Sequence, residues 1–202
     1  MVRFFFLVTF TLFISCAKKE TPLTAQQIVY KTFVRSGADK VGSAQIRFQF
    51  RDKKYAAIRK KGTFYLERTA LNTTSKIRDV ISNEGFQRFE DDTPITVADT
   101  MAVKYRNSIN SVHYFSVLPY GLNDKAVQKK LLTSSVVAGK DYFKVMITFL
   151  EDGGGEDFED VFVYWIGKED FLIDYLAYTF HTNGGGKRFR VLKEQCNIKG
   201  IR

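Results

Sequence analysis

The sequence predicts an α+β domain: an antiparallel sheet whose helices are inserted partway along the chain. Three observations carry this. Aromatic residues make up 15% of the 202 residues while only 3 are Pro, a composition that suits strands better than a helical bundle. Apolar and polar residues alternate with period two in an early block around 46–69 and again, more strongly, over 143–193. Between the blocks, Val97, Met101, Tyr105, Ile109 and Val112 recur at spacings of three and four, the pattern of an amphipathic helix. With 45% hydrophobic and 26% charged residues, the chain falls among globular proteins and outside the disordered, collagen-like and polytopic membrane classes. A single domain of this size buries roughly 70% of the surface its unfolded chain exposes, so disulfide or metal staples are unnecessary.

The first element is a targeting segment. Arg3 is followed by an uncharged apolar run from Phe4 to Ile14, too short for the roughly 20 residues that span a bilayer and suited to a secretory signal. Phe13-Ile14-Ser15-Cys16 then resembles the bacterial lipobox, with Phe13 where the commonest lipoboxes carry Leu. That resemblance implies a signal peptide over 1–15 and Cys16 as the first mature residue, carrying diacylglycerol on its sulfur. An ordinary signal peptide with an incidental cysteine is the competing reading. Residues 16–23 are polar apart from Ala17 and Leu23, contain Pro22 and read as a tether, leaving 24–202 as the domain. The expected partner is therefore a membrane, held through Cys16. Ala17 occupies the position where Asp is the familiar inner-membrane retention cue, which points to the outer membrane, facing the periplasm. Cys196 has no remaining cysteine to pair with and reads as a small buried hydrophobe.

Charge is unevenly spread. The formal net charge is +9, of which Arg3 contributes one. From Arg35 to Lys61 there are nine Lys or Arg against Asp39 and Asp52, and from Glu151 to Asp160 six acids without a base. An exported protein seldom meets nucleic acid, so no nucleic-acid partner is expected. Anionic lipid head groups or polyanionic glycans suit the basic region, and a solvated strand face suits it equally.

The domain opens with Thr24-Ala25-Gln26-Gln27, a capping-box pattern for a helix to about Ser36 that stops at Gly37, with Ile28, Val29 and Phe33 as its apolar stripe. Ile46, Phe48 and Phe50 alternate with Arg47, Gln49 and Arg51 as a half-buried strand. Asp52-Lys53 turns into a second strand over 55–60, and Gly62 punctuates a third over 63–69. Short strands are expected at 77–81 and 86–89, before Pro94 interrupts the meander. The helix over 96–115 follows, and the loop Leu118-Pro119-Tyr120-Gly121 leads to a short helix expected over 123–132. Strands resume at 143–149, 161–166, 171–181 and 187–193, joined through Gly153-Gly154-Gly155, Gly167-Lys168-Glu169-Asp170 and Gly184-Gly185-Gly186. The two triglycine loops fall at the same end of this meander. Acidic Glu151, Asp152, Glu156 and Asp157 are therefore expected to face Lys187 and Arg188. Both faces of 161–178 are apolar, which predicts cover on both sides.

This order of elements resembles the lipoprotein carriers of the Lol system, LolA and LolB, over about 24–193. It implies a curved antiparallel sheet, a half-open barrel, covered on one face by the inserted helices around an apolar cavity for acyl chains. The stretches Ser111-Val112-His113-Tyr114-Phe115, Leu118-Pro119-Tyr120-Gly121-Leu122-Asn123 and Gly153-Gly154-Gly155-Glu156-Asp157-Phe158 with Tyr164-Trp165 also look like an uncharacterised bacterial lipoprotein family without an established activity.

Catalytic and metal signatures are weak. His113 and His181 form no zinc-binding spacing. The acids of 151–160 match no calcium-loop pattern, and a solvated hairpin tip is favoured there. Neither triglycine joins a strand to a helix, as a phosphate cradle requires. No nucleophile elbow occurs, and no cofactor is implied. Trp165, Tyr164, Tyr175, Ala177, Tyr178 and His181 are the candidates for an apolar cavity and its mouth, with plain core as the alternative. The sequence thus favours a monomeric, non-catalytic envelope lipoprotein that binds an acyl chain, lipid or lipoprotein. An interaction or structural lipoprotein without a cavity is the second reading, and a hydrolase of an envelope glycan or lipid the third.

Overall fold

The structure, a computed structural model, describes residues 21–70, 74–152, 158–181 and 184–202. Helix α1 spans Ala25–Arg35, and both halves of its capping box form. Thr24 Oγ1 accepts from the Gln27 amide at 3.2 Å, and Gln27 Oε1 accepts from the Thr24 amide at 2.9 Å. Two of the amides left orphaned at a helix start are thereby satisfied. The helix ends where Gly37 turns to φ +68°, and a Cβ there would lie 1.7 Å from the Gly200 carbonyl oxygen. Glycine is required at this position both for its dihedral and for the close approach of the C-terminal tail, which also bonds Arg202 N to Ser36 O at 2.9 Å.

Two antiparallel sheets follow. The first contains β1 (Gln45–Phe50), β2 (Lys53–Lys60), β3 (Thr63–Ala70), β4 (Ile77–Ser82), β5 (Gly85–Glu90) and β6 (Thr93–Ile95), in chain order. The second contains β7 (Val127–Val137), β8 (Lys140–Phe149), β9 (Phe162–Gly167), β10 (Ile173–Phe180) and β11 (Gly186–Val191), ordered β11-β10-β9-β8-β7. The expected single curved sheet is thus two sheets, not closed into a barrel. Pro94, in the three-residue edge strand β6, offers no N–H to a further neighbour, and the chain leaves the ladder there for α2 (Asp99–Ser116).

Helix α2 bridges the sheets. Its Ile109, fully buried, packs with Ala57, Leu66 and Ile81 of the first sheet. One turn later Tyr114 and Phe115 join the core of the second, where α1 residues Ile28 and Val29 meet Val145, Ile147, Phe162, Tyr164, Ile166 and Leu176. Complete burial of Ile28 and Val29 contributes about 1.5–3 kcal/mol each.

Three local expectations are corrected. The helix expected over 123–132 is instead a 3-10 turn, Tyr120–Asn123, and then strand β7. Val127 through Leu132 pairs with Phe149 through Lys144, a ladder of β8 contacts that outweighs local helix preference. Cys196 is exposed and free rather than buried. The second sheet is covered on one face only: Trp165 and Tyr175 are half-buried on the other, with Phe189 54% exposed beside them.

Candidate functional site

Strand alternation places three charged residues where apolar ones belong. Arg68 follows Leu66 on the core-facing phase of β3, Asp79 precedes Ile81 on β4, and Arg88 follows Phe86 on β5. Register sets the three side by side, Arg68 opposite Asp79 and Asp79 opposite Arg88. Asp79 is 2% exposed and accepts from both guanidiniums: Arg68 Nη2 at 2.6 Å, Arg88 Nε at 2.6 Å and Arg88 Nη2 at 2.9 Å. Arg88 also lies 3.7 Å from the Tyr105 ring centroid, a cation–π contact from α2. Its hydrogen bonds to Asp79 raise its pKa above the ordinary arginine value despite burial. Two cations on one carboxylate leave one positive charge uncompensated within the triad.

Beside this triad lies a pocket of about 160 Å³, between the end of the β1–β2 hairpin and α2. That is close to the 150 Å³ of an engineered cavity known to admit benzene. Phe50, Tyr55 and Val112 supply apolar walls; Arg51, Lys53, Arg68 and Ser108 supply polar ones. Arg68 Nη1 donates to Ser108 Oγ at 3.0 Å, which fixes the guanidinium toward the helix. The pocket's one carboxylate, Asp52, is held by Lys53 at 2.8 Å, and the hydrogen bond from that ammonium lowers its pKa. With Lys53 paired to Asp52 and Asp79 shared by two arginines, the surplus charge of the triad and of Arg51 makes the pocket electropositive, and its apolar walls admit a carbon chain.

His113 flanks the same region. Its Nε2 lies 3.1 Å from the Glu67 carbonyl oxygen, which can only accept, so Nε2 carries the proton and Nδ1 is a buried acceptor without a partner among the described residues. Phe48 and Tyr55 meet the imidazole edge-on at 5.8 and 5.5 Å. Burial lowers its pKa to about 4, keeping the ring neutral.

The residues expected to line one cavity do not converge. Tyr164 and Tyr178 face the core of the second sheet, where the Tyr164 hydroxyl meets that of Tyr114 at 3.1 Å and Phe162 stacks on both rings. Burial raises the Tyr114 pKa to about 12. Trp165, Tyr175 and Ala177 lie on the opposite face, where Phe189 touches the Trp165 and Tyr175 rings. His181 sits beyond β10 with Nδ1 3.2 Å from Asp160. The core-facing side of this sheet is packed with aromatic rings where the cavity was expected. Of the two loops, Glu151 and Asp152 are exposed, while Glu156 and Asp157 lie outside the described residues, as does Cys16. Arg188 stacks on Phe180 at 4.5 Å and Lys187 is exposed. Among the described residues no cluster of three His, Cys, Asp or Glu side chains is placed to hold a metal, and no helix is long and apolar enough to cross a membrane.

A family model described as a family of unknown function, DUF6503, matches residues 2–201. No curated protein matches the chain. Among solved structures, the chain is similar to the crystal structure of LolA superfamily protein NE2245 from Nitrosomonas europaea, at 15% identity and a TM-score of 0.49, covering 90% of this chain and 83% of that one.

Proposed function

Because the chain belongs to DUF6503, a family of unknown function, its role has to be argued from its own residues, and we propose that it is a non-catalytic envelope lipoprotein that binds an amphipathic anion beneath α2. The observation that carries this is the uncompensated positive charge of the Arg68–Asp79–Arg88 triad, set against a pocket with apolar walls. A buried charge imbalance is costly unless paired, and an entering carboxylate or phosphate supplies the missing negative charge. The head group lies against Arg68, Lys53 and Ser108. The first carbons lie along Tyr55 and Val112, and the tail crosses Phe50, which is 46% exposed. Each methylene removed from water there contributes about 0.8 kcal/mol. The lipobox-like residues ending at Cys16 support attachment to the envelope, with the domain facing the periplasm.

The test uses the full chain and decanoate, with uncharged decyl glucoside as control. Calorimetry is expected to detect decanoate and a much weaker response to the glucoside. Arg68→Met, which leaves Asp79 balanced by Arg88 alone, and Val112→Trp, which fills the pocket, should each abolish the signal while circular dichroism shows the sheet retained. Equal binding of both amphiphiles, or no binding of decanoate by the unaltered chain, overturns the reading in favour of an interaction protein without a ligand pocket.

A further inference from the structure

We propose that the outer face of the first sheet, centred on Ala56, lies against a negatively charged membrane surface. This face is distinct from the pocket under α2. Register places Arg47 opposite Ala56 and Lys54 opposite both Gln49 and Thr69, all on the side away from Ile109 and α2. The small side chain of Ala56 leaves a shallow, open trough of about 640 Å³ between Arg47, Lys54, Glu67 and Lys76.

The two halves of the face differ. Over β3–β5 its side chains are committed to one another: Arg78 donates to the Tyr65 hydroxyl at 2.8 Å, stacks on Phe89 at 4.0 Å and lies 3.4 Å from Asp92. Over β1–β2 the cations Arg47, Lys54 and Lys60 have no acidic partner among the described residues, and Ile58 stands between them 40% exposed. The cations are spread over two paired strands, Arg47 on β1 and Lys54 and Lys60 on β2, instead of converging on a point. Their complement is accordingly a plane of anions, with an apolar layer just beneath for Ile58. A bound sugar polymer would call for exposed rings to stack on, and the rings of this face, Tyr65 and Phe89, are already engaged by Arg78. Placement near a membrane rests on the reading of Cys16 as the anchor: the eight residues from Cys16 to Thr24 reach no farther than roughly 28 Å.

The full chain is mixed with vesicles of phosphatidylcholine alone, or with added phosphatidylglycerol, and floated. If it floats with both, its lysines are modified with a water-soluble acylating reagent. Lys54 is then expected to react several-fold less on the anionic vesicles, with Lys104 on α2 unchanged. If it floats only with the anionic vesicles, the anchor reading fails and flotation itself measures docking. In the first case Arg47→Gln with Lys60→Gln should return Lys54 to its reactivity on the neutral vesicles; in the second, where each Lys or Arg near an anionic surface changes partitioning by about fivefold, Arg47→Gln with Lys54→Gln should reduce flotation about 25-fold. Equal Lys54 reactivity on both vesicle types, protection or flotation undiminished in the matching double variant, or equal protection of Lys54 by a soluble anionic polysaccharide overturns the proposal. None of these outcomes depends on decanoate binding, so the two readings fail separately.

Discussion

Replacing Asp79 by Asn keeps the shape of the side chain and removes its charge. The two guanidiniums that share it, each at 2.6 Å, would then face a neutral amide and each other beneath α2. Breaking a buried charged network by removing one partner costs about 3–5 kcal/mol, against about 5–15 kcal/mol for the stability of a whole domain. For a chain of this size each kcal/mol lowers Tm by about 2–4 °C, so Asp79→Asn should melt roughly 6–20 °C below the unaltered chain. Thermal unfolding followed by circular dichroism, with urea titration as a second measure, reads this directly. A companion variant separates stability from function: Arg68→Met, Asp79→Leu and Arg88→Met together replace the triad by apolar groups. Such replacements are often neutral or stabilising by about 1–4 kcal/mol. The triple variant should therefore fold at least as well as the unaltered chain and fail to bind decanoate. An Asp79→Asn cost below about 1 kcal/mol, or a triple variant as unstable as the single one, would refute the argument that the triad is a buried charge network kept for a ligand.

Two further outcomes are expected. His113 is held neutral with a pKa of about 4 against 6.5 when unfolded. Between these values the unfolded chain carries a proton that the folded one does not, so stability is complete above pH 6.5 and falls by about 1.4 kcal/mol per unit down to pH 4. His113→Gln should flatten the slope of a urea-midpoint profile in that window, and an unchanged slope would remove the assignment. Cys16→Ser removes the thiol that thioether lipidation needs, and metabolic labelling with a fatty acid should then leave the chain unlabelled. Label retained by that variant would place the lipid elsewhere.

Much of the fold is legible in the sequence because it is written in local periodicity. The capping box at Thr24 and Gln27, the alternation of Ile46, Phe48 and Phe50, and the spacing that ends in Ile109 and Val112 each report on neighbours along the chain. Strand β7 is misread because the preference of its first half is decided by β8, twelve to twenty-two residues away in the paired register from Leu132↔Lys144 to Val127↔Phe149.

 The signal for it lies across the sheet, where helical spacing along one segment carries no information. For the site, alternation alone separates Tyr164 from Trp165 and Tyr178 from Ala177, since neighbours and odd-spaced residues on paired strands point to opposite faces. One pocket cannot hold them all. The same rule contains the signal for the triad: Arg68, Asp79 and Arg88 each occupy the apolar phase of their strand. Charge alone assigns such residues to the surface, whereas their phase puts them under a helix. The tail's contact with Gly37 was not legible, because it depends on the approach of Gly200 from the other end of the chain.

That α2 touches both sheets has a kinetic consequence. Ser108 and Val112, which wall the pocket, share one continuous helix with Phe115, whose ring packs 6.4 Å from Phe162 and 5.6 Å from Tyr178. Lifting the helix to admit a ligand would draw those rings out of the opposite core, a slow excursion with a high barrier. The β1–β2 turn carries no such load: Phe50, Arg51 and Asp52 are exposed, and Arg51 turns through φ 55°. Entry and exit of the proposed ligand would therefore be set by the hairpin tip, and stiffening that turn should slow association and dissociation together while leaving the equilibrium constant nearly unchanged.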